Sequence, residues 1–294
     1  MLLRHTFLIL FVVMIWGVNF VVIQVALREV PPILLTFLRF FFAAFPAIFF
    51  IKRPQTSWIK LFNYSMSMLV FDFAFLFSGM YVGVSAGLAS LSLQTQVFFT
   101  ALLAVIFFKE SMSYSKVIGA CIAFLGIGYV GMHTGGDLNL FGLILVELAA
   151  LSWAIGNLVS KNIGNVDMLS LVVWGSLIAS PFLLLLSFIL ESHLWNASTL
   201  MHLSLTGMGA VAYLVYPVTL FGFAVWSWLL NRYPATIVTP FTLLVPVFGF
   251  SSAAFILHEA LPQWKMIAAM MIITGLVVNL YGDKVLQKYR LMRR

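Results

Sequence analysis

Apolar runs of about 20 residues, each long enough to cross a hydrocarbon layer ~30 Å thick, recur along the chain and alternate with short polar breaks. They predict ten helical spans at roughly 6–27, 33–51, 62–82, 86–108, 116–132, 140–160, 168–190, 205–230, 236–257 and 264–282. The breaks carry turn chemistry and charge: Arg28-Glu29-Val30-Pro31-Pro32, Lys52-Arg53-Pro54, Gly135-Gly136-Asp137, Asn162 to Asp167, and Asn231-Arg232-Tyr233-Pro234. The third and fourth spans meet at a tight, uncharged break around Gly83 to Ala86. Three prolines, at 234, 240 and 246, predict a bent ninth span.

A longer period lies over this pattern. Shifted by 149 residues, Ser85 to Gly131 falls without a gap on Pro234 to Leu280, with eight of 47 positions identical. Two of the eight, Glu110/Glu259 and Lys116/Lys265, are charged in a chain where only 9% of residues are. Their register marks an internal duplication. Trp16-Gly17-Val18-Asn19 returns as Trp153-Ala154-Ile155-Gly156-Asn157, and Pro46 as Pro181. Two repeats of five spans are expected, over 1–136 and 137–294. An odd number of spans per repeat makes the second enter the bilayer from the other side, the inverted architecture of carriers that open alternately to either face.

With 63% hydrophobic residues and a mean hydropathy of +1.08, the chain is read as an all-α integral membrane protein with no soluble domain. Thirteen of its 16 Lys and Arg residues fall at the N-terminus, in the loops after even-numbered spans, or in the tail from Lys284 to Arg294. Arg28 and Lys265 lie on the opposite side, and Arg39 is inside a span. The positive-inside rule then places both termini in the cytoplasm. The pI of 9.6 reflects loops facing phospholipid headgroups rather than a nucleic-acid surface. The single cysteine, Cys121, forms no internal disulfide, and the His residues at 5, 133, 193, 202 and 258 have no metal-ligand spacing. Gly126 to Gly131 matches a dinucleotide-binding pattern and Gly83 to Gly87 a nucleophile elbow. Neither follows a strand, so neither is a site.

Three ionisable residues lie deep in spans and are expected to face the bundle interior: Arg39, Asp72 and Glu147. Helical rise puts Arg39 and Glu147 roughly 10 Å from one face and Asp72 roughly 15 Å from the other. One reading gives Arg39 a substrate carboxylate and leaves Asp72 or Glu147 to carry a proton. The other makes Arg39 half of a fixed ion pair locking spans 2, 3 and 6. Asn19 and Asn157, in matching places of spans 1 and 6, suit either a zwitterionic ligand or a neighbouring backbone. Gln94, opposite Leu243 in the repeat, is a candidate ligand group, and Gln96 projects elsewhere on an ideal helix. Trp16 and Trp153, with Trp174, Tyr81 and Tyr213, are candidates to line an amphipathic pocket. Glu110 and Glu259 are expected to order span ends by pairing with Lys109 or Lys116, and with His258 or Lys265.

The chain resembles the drug/metabolite transporter superfamily with two EamA-type repeats, and within it the cysteine/O-acetylserine exporter branch. The resemblance is carried by WGVNFVVIQVAL at 16–27, PPILLTFLRFFFAAFPAIFF at 31–50, FAFLF at 73–77, SAGLASLSLQTQVFFT at 85–100 and LLVPVFGFSSAAFILHE at 243–259. It implies a ten-helix inverted-repeat carrier of the bacterial inner membrane that exports small amino-acid-like metabolites. No enzymatic activity or cofactor is implied, and the protein would act as a monomer or homodimer. Coupling to protons would fall to the buried acids.

Overall fold

The computed structural model describes residues 1–110, 113–133, 139–164, 166–195 and 203–292, with the backbone alone at 235, 236 and 284–292. The expected boundary between Gly136 and Asp137 and the last two arginines of the tail, Arg293 and Arg294, lie outside them, as do His202 and the side chains of Lys284, Lys288 and Arg290.

Ten helices long and apolar enough to cross a membrane are present among the described residues: Leu3–Ala26, Pro32–Phe49, Trp58–Tyr81, Ala86–Phe108, Tyr114–Gly131, Leu140–Ile163, Met168–Leu194, Leu205–Arg232, Thr239–Ile256 and Gln263–Asp283. They are spans 1 to 10 below. Span 2 packs on span 7, span 4 on span 9 and span 5 on span 10. Span 3 packs on span 6 as span 8 packs on span 1, and span 4 on span 6 as span 9 packs on span 1. Each contact has its image under exchange of the halves, so the protein is an all-α membrane protein built from two inverted five-helix repeats.

The 149-residue register persists in backbone detail. Span 3 widens into a π-helical turn at Ser65–Phe71 and span 8 at Leu214–Phe221. Span 4 tightens into 3₁₀ geometry at Leu93–Thr95, and span 9 does so at Thr239–Leu243, where bending was expected from its prolines. Spans 4 and 9 both end on a residue in the left-handed region, Lys109 at φ 54° and His258 at φ 53°. The next N–H then turns back to an alanine carbonyl, Glu110 to Ala104 and Glu259 to Ala253. The two prolines act differently. Span 2 interrupts its α-helix at Phe45-Pro46, whereas span 7 carries Pro181 within a continuous helix.

Ends of spans from different repeats gather on common faces. Lys60 Nζ donates to the carbonyl of Asn162 at 2.7 Å, and His5 Nδ1 lies 2.6 Å from the Tyr233 hydroxyl. These loops and the N-terminus are the ones that carry the basic excess. On the opposite face, Glu29 accepts from the Ser204 N–H at 3.0 Å and the Ser204 hydroxyl at 2.6 Å, closing the start of span 8.

Spans 5 and 10 approach most closely at small residues. A Cβ at Gly119 would stand 2.5 Å from the Gly275 carbonyl oxygen, and one at Gly275 equally close to that of Gly119. The repeat image of this contact is Gly126 against Ala268, where a Cβ would meet the carbonyl oxygen at 3.3 Å. Adding even one methyl at Gly119 overpacks backbone against backbone, at a cost of about 1–3 kcal/mol. Gly119→Ala is therefore expected to lower the melting temperature of the detergent-solubilised protein. Gly128→Ala, with no atom within 4 Å of the new Cβ, is expected to leave it unchanged.

Candidate functional site

Arg39, on span 2, is only 2% exposed. Its Nε donates to the Thr219 hydroxyl at 3.0 Å, and Thr219 in turn donates to the Leu214 carbonyl inside the π-turn of span 8. The guanidinium lies 4.3 Å from the centre of the Phe73 ring and 5.4 Å from that of Phe40. Cation–π attraction is strongest in such desolvated surroundings. Nη1 has no partner. Asp72, the neighbour of Phe73, is fully buried, and neither carboxyl oxygen accepts a hydrogen bond. No ion pair joins Arg39 and Asp72. Among the described residues the only salt bridge is Lys161–Glu110. The fixed ion pair is thus not what the structure holds. Opposite charges lie in one buried region with hydrogen-bonding capacity left over, which costs several kcal/mol unless protons or a ligand complete it. Trp153 closes the region by packing its ring 6.3 Å from that of Phe73.

A second polar array follows the parallel contact of spans 4 and 6. Thr95 Oγ1 is 2.8 Å from Glu147 Oε2, whose other oxygen has no partner. Further along, Asn157 Nδ2 donates to Gln96 Oε1 at 3.2 Å and to the Thr100 hydroxyl at 3.1 Å. At the mouth, Lys161 pairs with Glu110, displacing the expected pairing with Lys109 or Lys116 because span 6 ends directly beside the C-cap of span 4. Lys161 holds the Glu110 carboxyl below the usual range, by hydrogen bond first and by charge second. The sign is that of a depressed acid: the pair is complete above the ordinary glutamate range and lost only as pH falls through the lowered value.

The lower part of this array borders a cavity of about 480 Å³ between spans 4, 6 and 10. Its wall is apolar at Val97, Ala101 and Ala104, with Asn157, Asn279 and Asp283 also facing it. The symmetry-related contact, span 9 on span 1, is closed by backbone: a Cβ at Gly17 would lie 2.4 Å from Phe248 Cβ and 2.9 Å from the Gly249 nitrogen. The cavity thus has a lysine at its wall, Lys116, whereas the equivalent lysine of the other repeat, Lys265, is buried at 4% exposure.

The remaining expected site residues are distributed around these features. Trp16 commits its indole N–H to the Val218 carbonyl at 3.1 Å, and Ser152 does the same for the Ser67 carbonyl at 2.8 Å, so each π-turn is satisfied by its neighbouring repeat. Asn19 is buried with Oδ1 unpartnered, unlike Asn157. Gln94 is 8% exposed in the 3₁₀ segment, and it is Gln96 that reaches Asn157. Trp174 donates to the Ile51 carbonyl and Tyr213 to that of Ile15, while Tyr81 is exposed.

Sequence reasoning did not identify Thr219, Thr95 or Asn279 as site residues, nor Glu191 as a buried acid. Glu191 is 4% exposed and accepts from the N–H groups of Ile33 at 2.8 Å and Leu34 at 3.0 Å, capping span 2 from the end of span 7. A hydroxyl inside an apolar run was the available signal for both threonines. Removing the hydroxyl of Thr219 deprives a buried, charged donor of its hydrogen bond, a loss of about 1.5–3 kcal/mol. Thr219→Val is expected to lower the melting temperature in detergent, and Thr219→Ser to restore it.

The EamA-like transporter family matches this chain twice, over residues 4–132 and 140–281. A protein of Salmonella typhimurium named "Probable amino-acid metabolite efflux pump" is 39% identical over 288 residues, covering 96% of each chain. One of the same name from Escherichia coli is 38% identical over 281 residues, covering 94% of each. A solved crystal structure at 17% identity shares the fold, with a TM-score of 0.61 over 94% of this chain and 96% of its own. A doubled family match, ten spans and a buried charged centre between inverted halves lead to one assignment: the chain belongs to the EamA-like transporter family and is a transporter, not an enzyme.

Proposed function

We propose that this transporter exports small amino-acid metabolites, of the cysteine and O-acetylserine class, across the bacterial inner membrane in exchange for protons. The observation that carries the reading is a buried guanidinium with a free Nη1 beside Phe73 and, on the preceding residue, a buried carboxyl with two free oxygens. A zwitterion brings the complementary groups, its carboxylate to Arg39 and its ammonium to Asp72. The names of the two efflux-pump relatives support the substrate class. The basic residues gathered on the face that holds the cavity support a cytoplasmic location for that face and for both termini. The cavity volume lies within the range of small-molecule sites.

In this cycle the substrate enters from the cavity between spans 4, 6 and 10, passes Asn157, and is held at the Arg39 centre with Trp153 against Phe73. Closure of the span 4–6 contact and opening of the span 1–9 contact then release it on the far side. Asp72 and Glu147 take up protons for the return. Two carboxyl groups are available and one guanidinium opposes them, so the centre can hold a proton without a net charge change elsewhere.

The test is counterflow in proteoliposomes with a panel of labelled amino acids that includes cysteine and O-acetylserine, followed by uphill export under an imposed pH gradient. Saturable exchange of these two compounds is expected. In Glu147→Gln, gradient-driven accumulation is expected to be lost while downhill exchange persists; in Asp72→Asn, which also removes the partner of the substrate ammonium, both are expected to fall. Wild-type, gradient-sensitive export by both variants would exclude these acids as the proton carriers. Saturable exchange confined to other compounds would exclude the substrate class.

A further inference from the structure

We propose that Thr95 is the positioning residue through which protonation of Glu147 acts on the backbone of span 4; this rests on the proton-coupled reading above. Thr95 Oγ1 lies 2.8 Å from the Ser92 carbonyl oxygen and 2.8 Å from Glu147 Oε2. A carbonyl only accepts, an ionised carboxylate only accepts, and a threonine hydroxyl has one hydrogen. With Glu147 ionised, one of the two contacts has no proton in it. With a proton on Oε2, the carboxyl donates to Thr95 Oγ1 and Thr95 donates to Ser92, so each contact contains one hydrogen. The balance needs one proton from solvent and nothing else.

Thr219 faces no such conflict. That hydroxyl donates to Leu214 and accepts from Arg39, so its chain is complete without any titration. Thr95 is fully buried and Glu147 Oε1 has no partner, so no alternative donor relieves the conflict. Spans 3 and 4 pack against span 6; the charged and titratable residues of span 3 are Lys60, Tyr64, Asp72 and Tyr81, and Lys109 and Glu110 follow span 4. None of these makes a hydrogen bond or ion pair with Glu147, and Lys161 on its own span is engaged by Glu110.

The position of the conflict gives it a consequence. Leu93–Thr95 is the 3₁₀ break between the two halves of span 4, Ala86–Ser92 and Gln96–Phe108, and the Ser92 carbonyl stands at its edge. A charged acceptor outcompetes a neutral one for the hydroxyl, since charge-assisted hydrogen bonds are roughly twice as strong. Ionised Glu147 therefore draws the hydroxyl away and releases the Ser92 carbonyl, and protonated Glu147 returns it and closes the break. The next residue, Gln96, holds Asn157 at the cavity wall. Proton binding is thus transmitted along span 4 to the substrate path.

The experiment is counterflow of labelled O-acetylserine by the reconstituted full-length protein at equal internal and external pH, varied between about 5.5 and 8. Wild type and Thr95→Ser are expected to change rate by about threefold or more across this range. Thr95→Val, which keeps the shape without the hydroxyl, and Glu147→Gln are expected to exchange with a nearly flat profile. Infrared difference spectra provide a readout that does not depend on transport: the carboxyl C=O band that Glu147→Gln abolishes is expected to move in Thr95→Val and to stay in place in Thr95→Ser. A wild-type pH profile and an unmoved band in Thr95→Val, with Glu147→Gln flat, would overturn the role of Thr95 and leave proton coupling standing. A flat wild-type profile would instead remove proton coupling, and no exchange of O-acetylserine or any other amino acid would remove the export reading itself.

Discussion

A backbone polar group inside the hydrocarbon layer must find its partner within the protein, and the rest of this structure follows from how that requirement is met. Spans 3, 4 and 8 depart from α-geometry in their middles, and each departure frees carbonyls that water cannot reach. Side chains of adjacent spans or of the same turn supply the donors: Ser152 for Ser67, Trp16 for Val218, Thr219 for Leu214, Thr95 for Ser92. Two of these donors come from the opposite repeat. The breaks therefore tie the halves together at the places where spans are easiest to bend.

The frame is symmetric and its chemistry is not. Arg39 and Asp72 have no charged counterparts at the matching places of the second repeat, where Phe221 stands at the register of Asp72. The polar contact of spans 4 and 6 likewise faces an apolar image, Gly17 packed on Phe248 and Gly249. Duplication provides two equivalent ways of closing the bundle, and divergence equips only one with groups that hold charge. A carrier needs both, because identical halves would bind the same ligand with no direction imposed by the site.

Much of this organisation was legible in the sequence. The ten spans follow from apolar run length, and the 149-residue offset survives in the C-caps of spans 4 and 9 and in the paired π and 3₁₀ turns. The depth of Arg39, Asp72 and Glu147 was also readable, because a charge inside an apolar run has few alternatives to the bundle interior. Partner identity was not. Lys161 is 51 residues from Glu110, and nothing local predicts that the ends of spans 4 and 6 stand side by side. Which of Gln94 and Gln96 faces span 6 depends on how spans 4 and 6 pack, and it is Gln96 that reaches Asn157. Glu191 falls just past the expected end of span 7 at 190, yet it caps span 2 from a buried position. Each failure comes from a tertiary contact overriding a helical extrapolation.

The proposed cycle requires one frame that opens its two faces in turn, with the cavity on the basic face. It is tested most directly by labelling a repeat-related pair, Lys116→Cys and Lys265→Cys, each in a Cys121→Ser background, with a membrane-impermeant maleimide applied from the corresponding side. Lys116 lines the cavity and Lys265 is 4% exposed. The account predicts rapid labelling at 116 and slow labelling at 265 in the resting protein, with opposite changes at the two positions when O-acetylserine is added. Rates that are equal at both positions, or that rise and fall together, would contradict it.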